Sequence, residues 1–366
     1  MRRHVFLAVR DGIITAIGPA ADLPRHAAEA VDDLSHCVIV PALVDCSVSL
    51  SRSPSVDEEV RLSMEGTDLK EKASLVARHV GYCHAHGVQG VADSDNITEL
   101  MDHLPKELPR GSFIDIRIAG SRADSDFLRI DYSGNIEDQG APRLGHEELC
   151  RLLQQRGGKK AVVVANGQQQ VEEALRAGCD AIEQGYGMGE GNLRKMADMG
   201  VLWIPSVIRA KNALDSAASG GTVMCRFSTR YVAPGKADPG AETFWKKTVP
   251  EQLMQLRLAR ELGVTTAIGT GAGSVGILHG ESMVEEMKLF IRAGYSLPET
   301  IRCASENGAR FFDMENLGAL TVGRKATFLI TRGGAQQLPR KLSYLEGIYV
   351  NGEPSSTYSK NPVKAV

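Results

Sequence analysis

Histidine side chains bind transition metals and transfer protons near neutral pH, and two of the nine in this sequence, His84 and His86, have a spacing that can serve a metal site. The residues before them follow a helical pattern, however, and Gly87 is typical of a helix C-terminus. Residues two apart on a helix point to different sides. We therefore interpret the pair as the end of a helix and not as a metal site.

A glycine-rich turn, Gly271-Ala-Gly-Ser-Val-Gly276, matches the dinucleotide pattern G-x-G-x-x-G directly after an apolar run. That pattern needs a following strand and an acidic residue about 20 positions on, whereas a helical pattern follows here. We therefore predict no nicotinamide or other cofactor. Such a turn can still bind phosphate through backbone N–H groups.

Polar side chains follow most of the apolar runs. They are Asp45, Ser47, Ser49, Asp93, Asp95, Arg129, Asp131, Asn166, Glu183, Gln184, Thr270 and His279. Ser47 or Ser49 would need a base to act as a nucleophile, and no histidine is placed for it on the neighbouring strands. Strand alternation places Cys46, beside Ser47, away from the interior, and it is expected to serve in packing. No catalytic residue is therefore assigned.

Two of these polar positions carry a prediction of direction or partner. Strand alternation places Gln184 inward, and its neighbour Glu183 is then expected to point outward. Arg129 is expected either to bind a ligand or to form an ion pair with Asp131, Asp45 or another nearby carboxylate.

The elements that must position these residues alternate between apolar runs and helical patterns, which indicates repeated βα units and a parallel sheet. The runs are Val38–Val44, Val88–Ala92, Phe113–Ala119, Phe127–Ile130, Ala161–Ala165, Ala181–Ile182, Val201–Ile204 and Val264–Ile268. These eight units predict an α/β fold, a (β/α)8 TIM-like barrel. A doubly wound open sheet is the alternative.

The two ends of the chain have β character, with a hairpin signal at Asp11-Gly12. We predict a small composite β-sandwich domain from residues 1–40 and 316–355, a barrel from 41–315 and a flexible tail at 356–366. Residues 211–246 are rich in Ser, Gly, Ala and Pro and are predicted to form a long loop after strand seven, either a lid or a disordered insertion.

Composition excludes several partners. The formal net charge is −3, so neither nucleic acid nor an anionic membrane is an expected partner. The seven cysteines are scattered without a CxxC pair, which favours a reduced, cytoplasmic protein. No signal peptide and no run of about 20 apolar residues is found.

Four segments resemble the amidohydrolase superfamily, in the imidazolonepropionase- and prolidase-like members, and in the same order along the chain. They are Val40-Pro-Ala-Leu-Val-Asp-Cys-Ser-Val-Ser-Leu50; Ala161-Val-Val-Val-Ala-Asn-Gly167 with Ala174 to Gly185; Ala267-Ile-Gly-Thr-Gly-Ala-Gly273; and Leu278-His-Gly-Glu281 with Gly318 to Thr327. The resemblance implies a metal-dependent hydrolase of non-peptide C–N bonds on a barrel.

The metal-ligand positions implied by this resemblance are all changed. The two strand-one histidines are Ser47 and Ser49, the strand-four lysine is Arg129, the strand-five histidine is Val164, the strand-six histidine is Gln184 and the strand-eight aspartate is Gly271. Zinc needs imidazole, thiolate or carboxylate donors, and a guanidinium repels a cation. We therefore predict no metal at this site and no metal-dependent hydrolysis.

The changed positions and their neighbours are the predicted ligand-binding residues: Ser47, Ser49, Arg129, Val164, Asn166, Gln184, Thr270, Gly271 and His279. The changes at Arg129 and Gly271 both move the interior toward positive charge, which suggests an anionic ligand.

Two functions are consistent with these changes. The first is a non-catalytic binder of a small molecule, or a partner subunit in a homodimer or beside an active paralogous subunit. The alternative is a metal-independent enzyme acting on a C–N bond of a small metabolite.

Overall fold

The computed structural model describes residues 4–23, 31–104, 114–133, 143–218 and 239–358. The strands in these ranges are β1 (Val5–Arg10), β2 (Ile13–Pro19), β3 (Cys37–Pro41), β4 (Leu43–Val48), β5 (Val88–Asp93), β6 (Asp115–Ile118), β7 (Leu128–Asp131), β8 (Ala161–Ala165), β9 (Ala181–Gln184), β10 (Leu202–Ile204), β11 (Phe328–Arg332), β12 (Gly347–Val350) and β13 (Glu353–Pro354). The helices are α1 (Glu58–Glu65), α2 (Leu69–Ala85), α3 (Thr98–Met101), α4 (His146–Gln154), α5 (Gln168–Arg176), α6 (Gly189–Met199), α7 (Val207–Ala218), α8 (Pro239–Leu262), α9 (Ser282–Arg292), α10 (Leu297–Cys303) and α11 (Glu306–Phe311).

The two ends of the chain contribute to one small antiparallel sheet, in the order β13-β12-β11-β3. The β1–β2 hairpin forms as predicted, and its turn residues Asp11 and Gly12 both have positive φ, the geometry that a two-residue hairpin turn requires. The hairpin joins the sheet region through Ile14, which donates to the Arg324 carbonyl and packs beside Phe328.

The first predicted barrel strand is wrong in its extent. The apolar run Val38–Val44 is divided at Ala42, so that β3 lies in the small sheet and β4 lies in the barrel. A continuous apolar run gives no periodic signal for such a break.

The central segments form two parallel sheets, β4-β5-β6 and β10-β9-β8-β7. Bridges from Ala119 to Phe127, from Trp203 to Thr266 and from Val48 to Ala272 connect the two sheets with the segment after α8. One apolar cluster then contains a residue from each of the eight barrel segments: Val44, Ala92, Ala119, Phe127, Val162, Ala181, Leu202 and Ala267. A cluster shared by all the strands is the barrel interior, which fits the predicted TIM-like fold.

The amino-terminal end of this interior is covered by α11 and the residues after it. Ala309, Phe312 and Met314 belong to the interior cluster, and Phe312 packs edge-on against Phe127 at 4.9 Å between ring centroids. Cys46 also lies in this cluster, and burial raises the pKa of its thiol. Cys46 therefore serves in packing as expected, but the prediction that it points away from the interior is wrong, because β4 has an irregularity between Asp45 and Val48 that breaks strand alternation.

The predicted loop at 211–246 is wrong at both ends. Residues 211–218 continue α7 and residues 239–246 belong to α8, while 219–238 lie outside the described residues, as do 359–366 of the predicted tail. Within that tail, Tyr358 donates to the Leu345 carbonyl at 2.6 Å. Alanine-rich sequence resembles a low-complexity loop in composition, but alanine is the strongest helix former.

Among the described helices, none is both long and apolar enough to cross a membrane.

Candidate functional site

The layer above the apolar interior, toward the carboxyl ends of the strands, is polar. Side chains two residues apart on a strand share a face, so Arg129 follows Phe127, Val164 follows Val162 and Glu183 follows Ala181 into the barrel. Glu183 is only 1% exposed. The prediction that Glu183 points outward is therefore wrong.

Arg129, Glu183 and Ser47 form one hydrogen-bonded cluster, named here the arginine–glutamate cluster. Arg129 donates from Nε to Glu183 Oε2 at 2.8 Å and from Nη2 to Oε1 at 3.2 Å. The Ser47 hydroxyl donates to Glu183 Oε1 at 2.8 Å. Burial alone would raise the pKa of Glu183, but Arg129 and Ser47 outweigh it and lower that pKa. The carboxylate is therefore charged, buried and fully engaged.

The two other carboxylates predicted as partners of Arg129 are bound elsewhere. Asp131 pairs with Arg143 at 2.7 Å. Asp45 accepts from the Thr270 backbone N–H at 2.8 Å and from the Thr270 hydroxyl at 2.6 Å, and burial raises the pKa of Asp45 to about 7. Asp45 and Thr270 thus connect the first barrel strand to the segment after α8.

Two amides stand beside each other at the ends of β8 and β9. Asn166 donates from Nδ2 to Gln184 Oε1 at 2.8 Å, and both side chains are buried. Gln184 has φ +70, a left-handed conformation that is costly for a residue with a Cβ. Its carbonyl accepts from Trp203 Nε1 at 3.0 Å and from Gln252 Nε2 at 2.8 Å, which holds the turn. Val164 offers only methyl groups.

Arg209 on α7 joins this layer, although no sequence pattern indicated it. Gly271 has φ +71, and a Cβ there would lie 2.7 Å from Arg209 Cδ. The Gly271 backbone N–H donates to the Ser47 carbonyl at 2.8 Å. The stem of Arg209 therefore lies against the glycine, next to the arginine–glutamate cluster, in space that a side chain at position 271 would need.

His279 packs in a buried histidine pair. Its ring stacks on His79 at 3.8 Å between centroids. His279 Nε2 lies 3.1 Å from the Ser49 carbonyl and His79 Nδ1 lies 2.8 Å from the Leu50 carbonyl, so both nitrogens carry hydrogen. Burial lowers the pKa of His79 to about 4 and that of His279 to about 3. Both rings are therefore neutral at pH 7, and none of their hydrogen bonds involves the arginine–glutamate cluster.

The His84/His86 pair ends a helix, as predicted. His84 is buried and contacts Gln89 and Ser355, whereas His86 Nδ1 contacts the Tyr82 carbonyl. Gly87 follows with φ +79. Across the described ranges, no group of three or more His, Cys, Asp or Glu side chains could hold a metal ion.

Glu286 on α9 fixes the start of α7. Its two carboxyl oxygens accept from the backbone N–H groups of Val207 at 2.8 Å and Ile208 at 2.6 Å, which are free donors at a helix N-terminus. Glu286 is fully buried, and burial raises its pKa to about 8. It thereby sets the position of Arg209, the third residue of the helix.

The raised pKa of Glu286 predicts a loss of stability toward alkaline pH. The folded chain retains a proton up to about pH 8, whereas the unfolded chain loses it near the ordinary glutamate value. Between these values the folded state binds more protons, so the free energy of unfolding falls as pH rises. Asp45, whose pKa burial raises to about 7, adds to this fall. The two buried histidines oppose it, because they still take up protons near pH 6.5 in the unfolded chain but not in the folded one. These two contributions roughly offset each other, so Glu286 sets the net slope.

We expect a decrease of about 1–2 kcal/mol between pH 6.5 and pH 8, measured by urea unfolding at several pH values. Glu286→Gln removes the titrating group, so most of this slope should disappear in that variant. An unchanged slope in Glu286→Gln would assign the effect to other groups.

Comparison with known proteins gives a family and a fold. Residues 135–361 match the amidohydrolase family. No curated protein matches the sequence. The solved structures include similar folds at low identity: a Xaa-Pro dipeptidase with bound methionine (17% identity, 96% of this chain and 94% of that chain, TM-score 0.73) and A. niger ochratoxinase (15%, 96% and 91%, TM-score 0.76). Molinate hydrolase is also similar (13%, 97% and 91%, TM-score 0.73).

Proposed function

Because the chain belongs to the amidohydrolase family, we propose that it is a member that binds a small molecule at the carboxyl end of its barrel without metal-dependent hydrolysis. The observation that carries this proposal is the arginine–glutamate cluster. Glu183, a buried carboxylate in that layer of the interior, is held by two hydrogen bonds from Arg129 and one from Ser47.

The residues present do not fit the metal that the family implies. Serine hydroxyls at Ser47 and Ser49 are poor zinc ligands, and Val164 and Gly271 have no donor atom in their side chains. The Gln184 carbonyl oxygen already accepts from Asn166. Arg129 places a permanent positive charge in the same layer. Among the described residues of this layer, a divalent cation would meet the Arg129 cation and a Glu183 carboxylate that is already hydrogen-bonded.

The alternative of a metal-independent hydrolase finds little support in the geometry. Ser47 is next to a carboxylate, as a nucleophile would need to be next to a base. Arg129, however, lowers the pKa of Glu183, and a stabilised carboxylate is a weak base. The same contacts that exclude a metal therefore leave Ser47 without activation.

Metal content and turnover of the full chain test this proposal. We expect well below one zinc, iron or manganese per chain after purification. Xaa-Pro dipeptides and ochratoxin, chosen from the names of the similar structures, should not be hydrolysed with or without added zinc. Stoichiometric metal together with turnover that a chelator abolishes would contradict the proposal, and chelator-resistant turnover would favour the metal-independent enzyme.

The homodimer, the active paralogous subunit and the cytoplasmic location stay predictions, as do the domain boundaries.

A further inference from the structure

Three donor groups near the arginine–glutamate cluster have no hydrogen bond to any other described residue. The guanidinium of Arg209 makes none in the described part of the chain. Arg129 uses Nε and Nη2 on Glu183, which leaves Nη1. Gln184 uses its side-chain oxygen for Asn166, which leaves Nε2. Each of these groups can only donate.

Contacts connect these donors around the barrel mouth. Arg209 lies on Gly271, the Gly271 N–H donates to the Ser47 carbonyl, and the Ser47 hydroxyl donates to Glu183. Glu183 in turn binds Arg129 on β7 and precedes Gln184 on β9. Arg129 keeps 18% of its side-chain surface exposed, and Arg209 is half-buried. The donors are thus within reach of a molecule that enters from the carboxyl ends of the strands.

The backbone in this place is held in costly conformations. Gln184, the last residue of β9, has φ +70, and Ser206, which follows the adjacent strand β10, has φ +45. Ser206 is fixed by its hydroxyl, which donates to the Gly269 carbonyl at 2.7 Å, and by its own carbonyl, which accepts from Tyr186 at 2.8 Å. Strained non-glycine residues that are held in this way concentrate at ligand sites.

The two arginines have few anionic partners among the described residues. Glu183 is the carboxylate hydrogen-bonded to Arg129, and Arg209 acts on it only at longer range. Asp131 is bound by Arg143 and Asp95 by Arg52, and both oxygens of Asp45 accept from Thr270. The Arg209 guanidinium is therefore available to an anionic ligand. A carboxylate supplies a single charge and the planar pair of acceptors that a guanidinium fits, whereas phosphate at pH 7 brings close to two charges.

We propose that Arg209, Arg129 Nη1 and Gln184 Nε2 form a seat for the carboxylate of a small organic acid. This inference rests on the proposed ligand-binding function and specifies the chemistry of the ligand. Position 271 must be glycine for this seat, because a side chain there would displace Arg209.

Calorimetric titration of the full chain at pH 7 and low chloride tests the seat. The probes are N-acetylglycine, its neutral amide N-acetylglycinamide, and inorganic phosphate. We expect saturable binding of N-acetylglycine and binding at least about 10-fold weaker for the other two. Arg209→Met should weaken N-acetylglycine binding about 10-fold or more, and Arg209→Lys should weaken it less.

Arg292→Met is the matched control, because Arg292 is exposed at the end of α9; it should bind like the original chain. Unchanged binding in a folded Arg209→Met variant overturns the seat. Preference for phosphate or for the neutral amide overturns the carboxylate class and leaves the proposed binder intact. Absence of binding by every probe together with zinc-dependent turnover overturns both.

Discussion

Replacing Arg129 with methionine is expected to lower the free energy of unfolding by about 3–5 kcal/mol at pH 7. The substitution removes two hydrogen bonds, at 2.8 and 3.2 Å, and leaves Glu183 buried with one hydroxyl partner. A buried carboxylate that has lost its hydrogen-bonded counter-charge is costly, and Arg209 acts on Glu183 only without a hydrogen bond. Glu183 must therefore either ionise at that cost or take up a proton. Protonation is easier in acid, so the deficit should be smaller at pH 5 than at pH 7. Urea unfolding at both pH values measures it.

The double variant Arg129→Met/Glu183→Gln separates the lost charge pair from lost packing. It removes both charges and keeps an amide beside Ser47, so more than half of the lost stability should return. Arg143→Met is the control, since the Arg143–Asp131 pair is 54% and 39% exposed, and it should cost less than about 1 kcal/mol. An Arg129→Met variant that is no less stable than Arg143→Met would mean that the buried pair contributes nothing to the fold.

The barrel could be predicted from the sequence because its strands are continuous apolar runs in a βα rhythm, and seven of the eight predicted runs coincide closely with barrel segments. The exception, Val38–Val44, holds two strands in one run. The error at 211–246 has a different origin. The prediction relied on the Ser, Gly, Ala and Pro content of the segment and gave too little weight to the helix propensity of its alanines. Neither signal contains information on where one apolar element stops and the next begins.

The sequence indicated where along the chain the residues of the candidate site lie, but not the direction in which each side chain points. Strand alternation assigned Gln184 inward and Glu183 outward, but the left-handed backbone at Gln184 breaks the alternation, and both side chains meet polar partners. Arg209 follows β10 by a few residues and reaches Gly271 only through tertiary packing. The stacking of His79 on His279 likewise joins residues 200 positions apart. Contacts between residues so far apart do not affect the local periodicity of the sequence, so periodicity cannot predict them.

Several residues at the positions that the resemblance assigns to metal ligands are linked by contacts. Serine at position 47 and arginine at position 129 share the two oxygens of Glu183, and glycine at position 271 makes room for Arg209. These residues therefore form a connected arrangement, which supports the proposal that positive side chains stand where the family binds a cation. Aspartate at position 271 would collide with Arg209 and break this arrangement.

Replacing Glu286 with alanine is the second large expected effect, about 2–4 kcal/mol lost from the free energy of unfolding. The buried N–H groups of Val207 and Ile208 would lose their acceptors, and the nearby Ser206 hydroxyl cannot replace them because it donates to Gly269. Glu286→Gln keeps one acceptor oxygen and should cost about 1 kcal/mol. Because Glu286 orients the first turn of α7, the alanine variant should also weaken N-acetylglycine binding, as Arg209→Met does. Chemical denaturation and calorimetry on both variants measure the two effects, and an alanine variant with full stability would show that α7 needs no anchor.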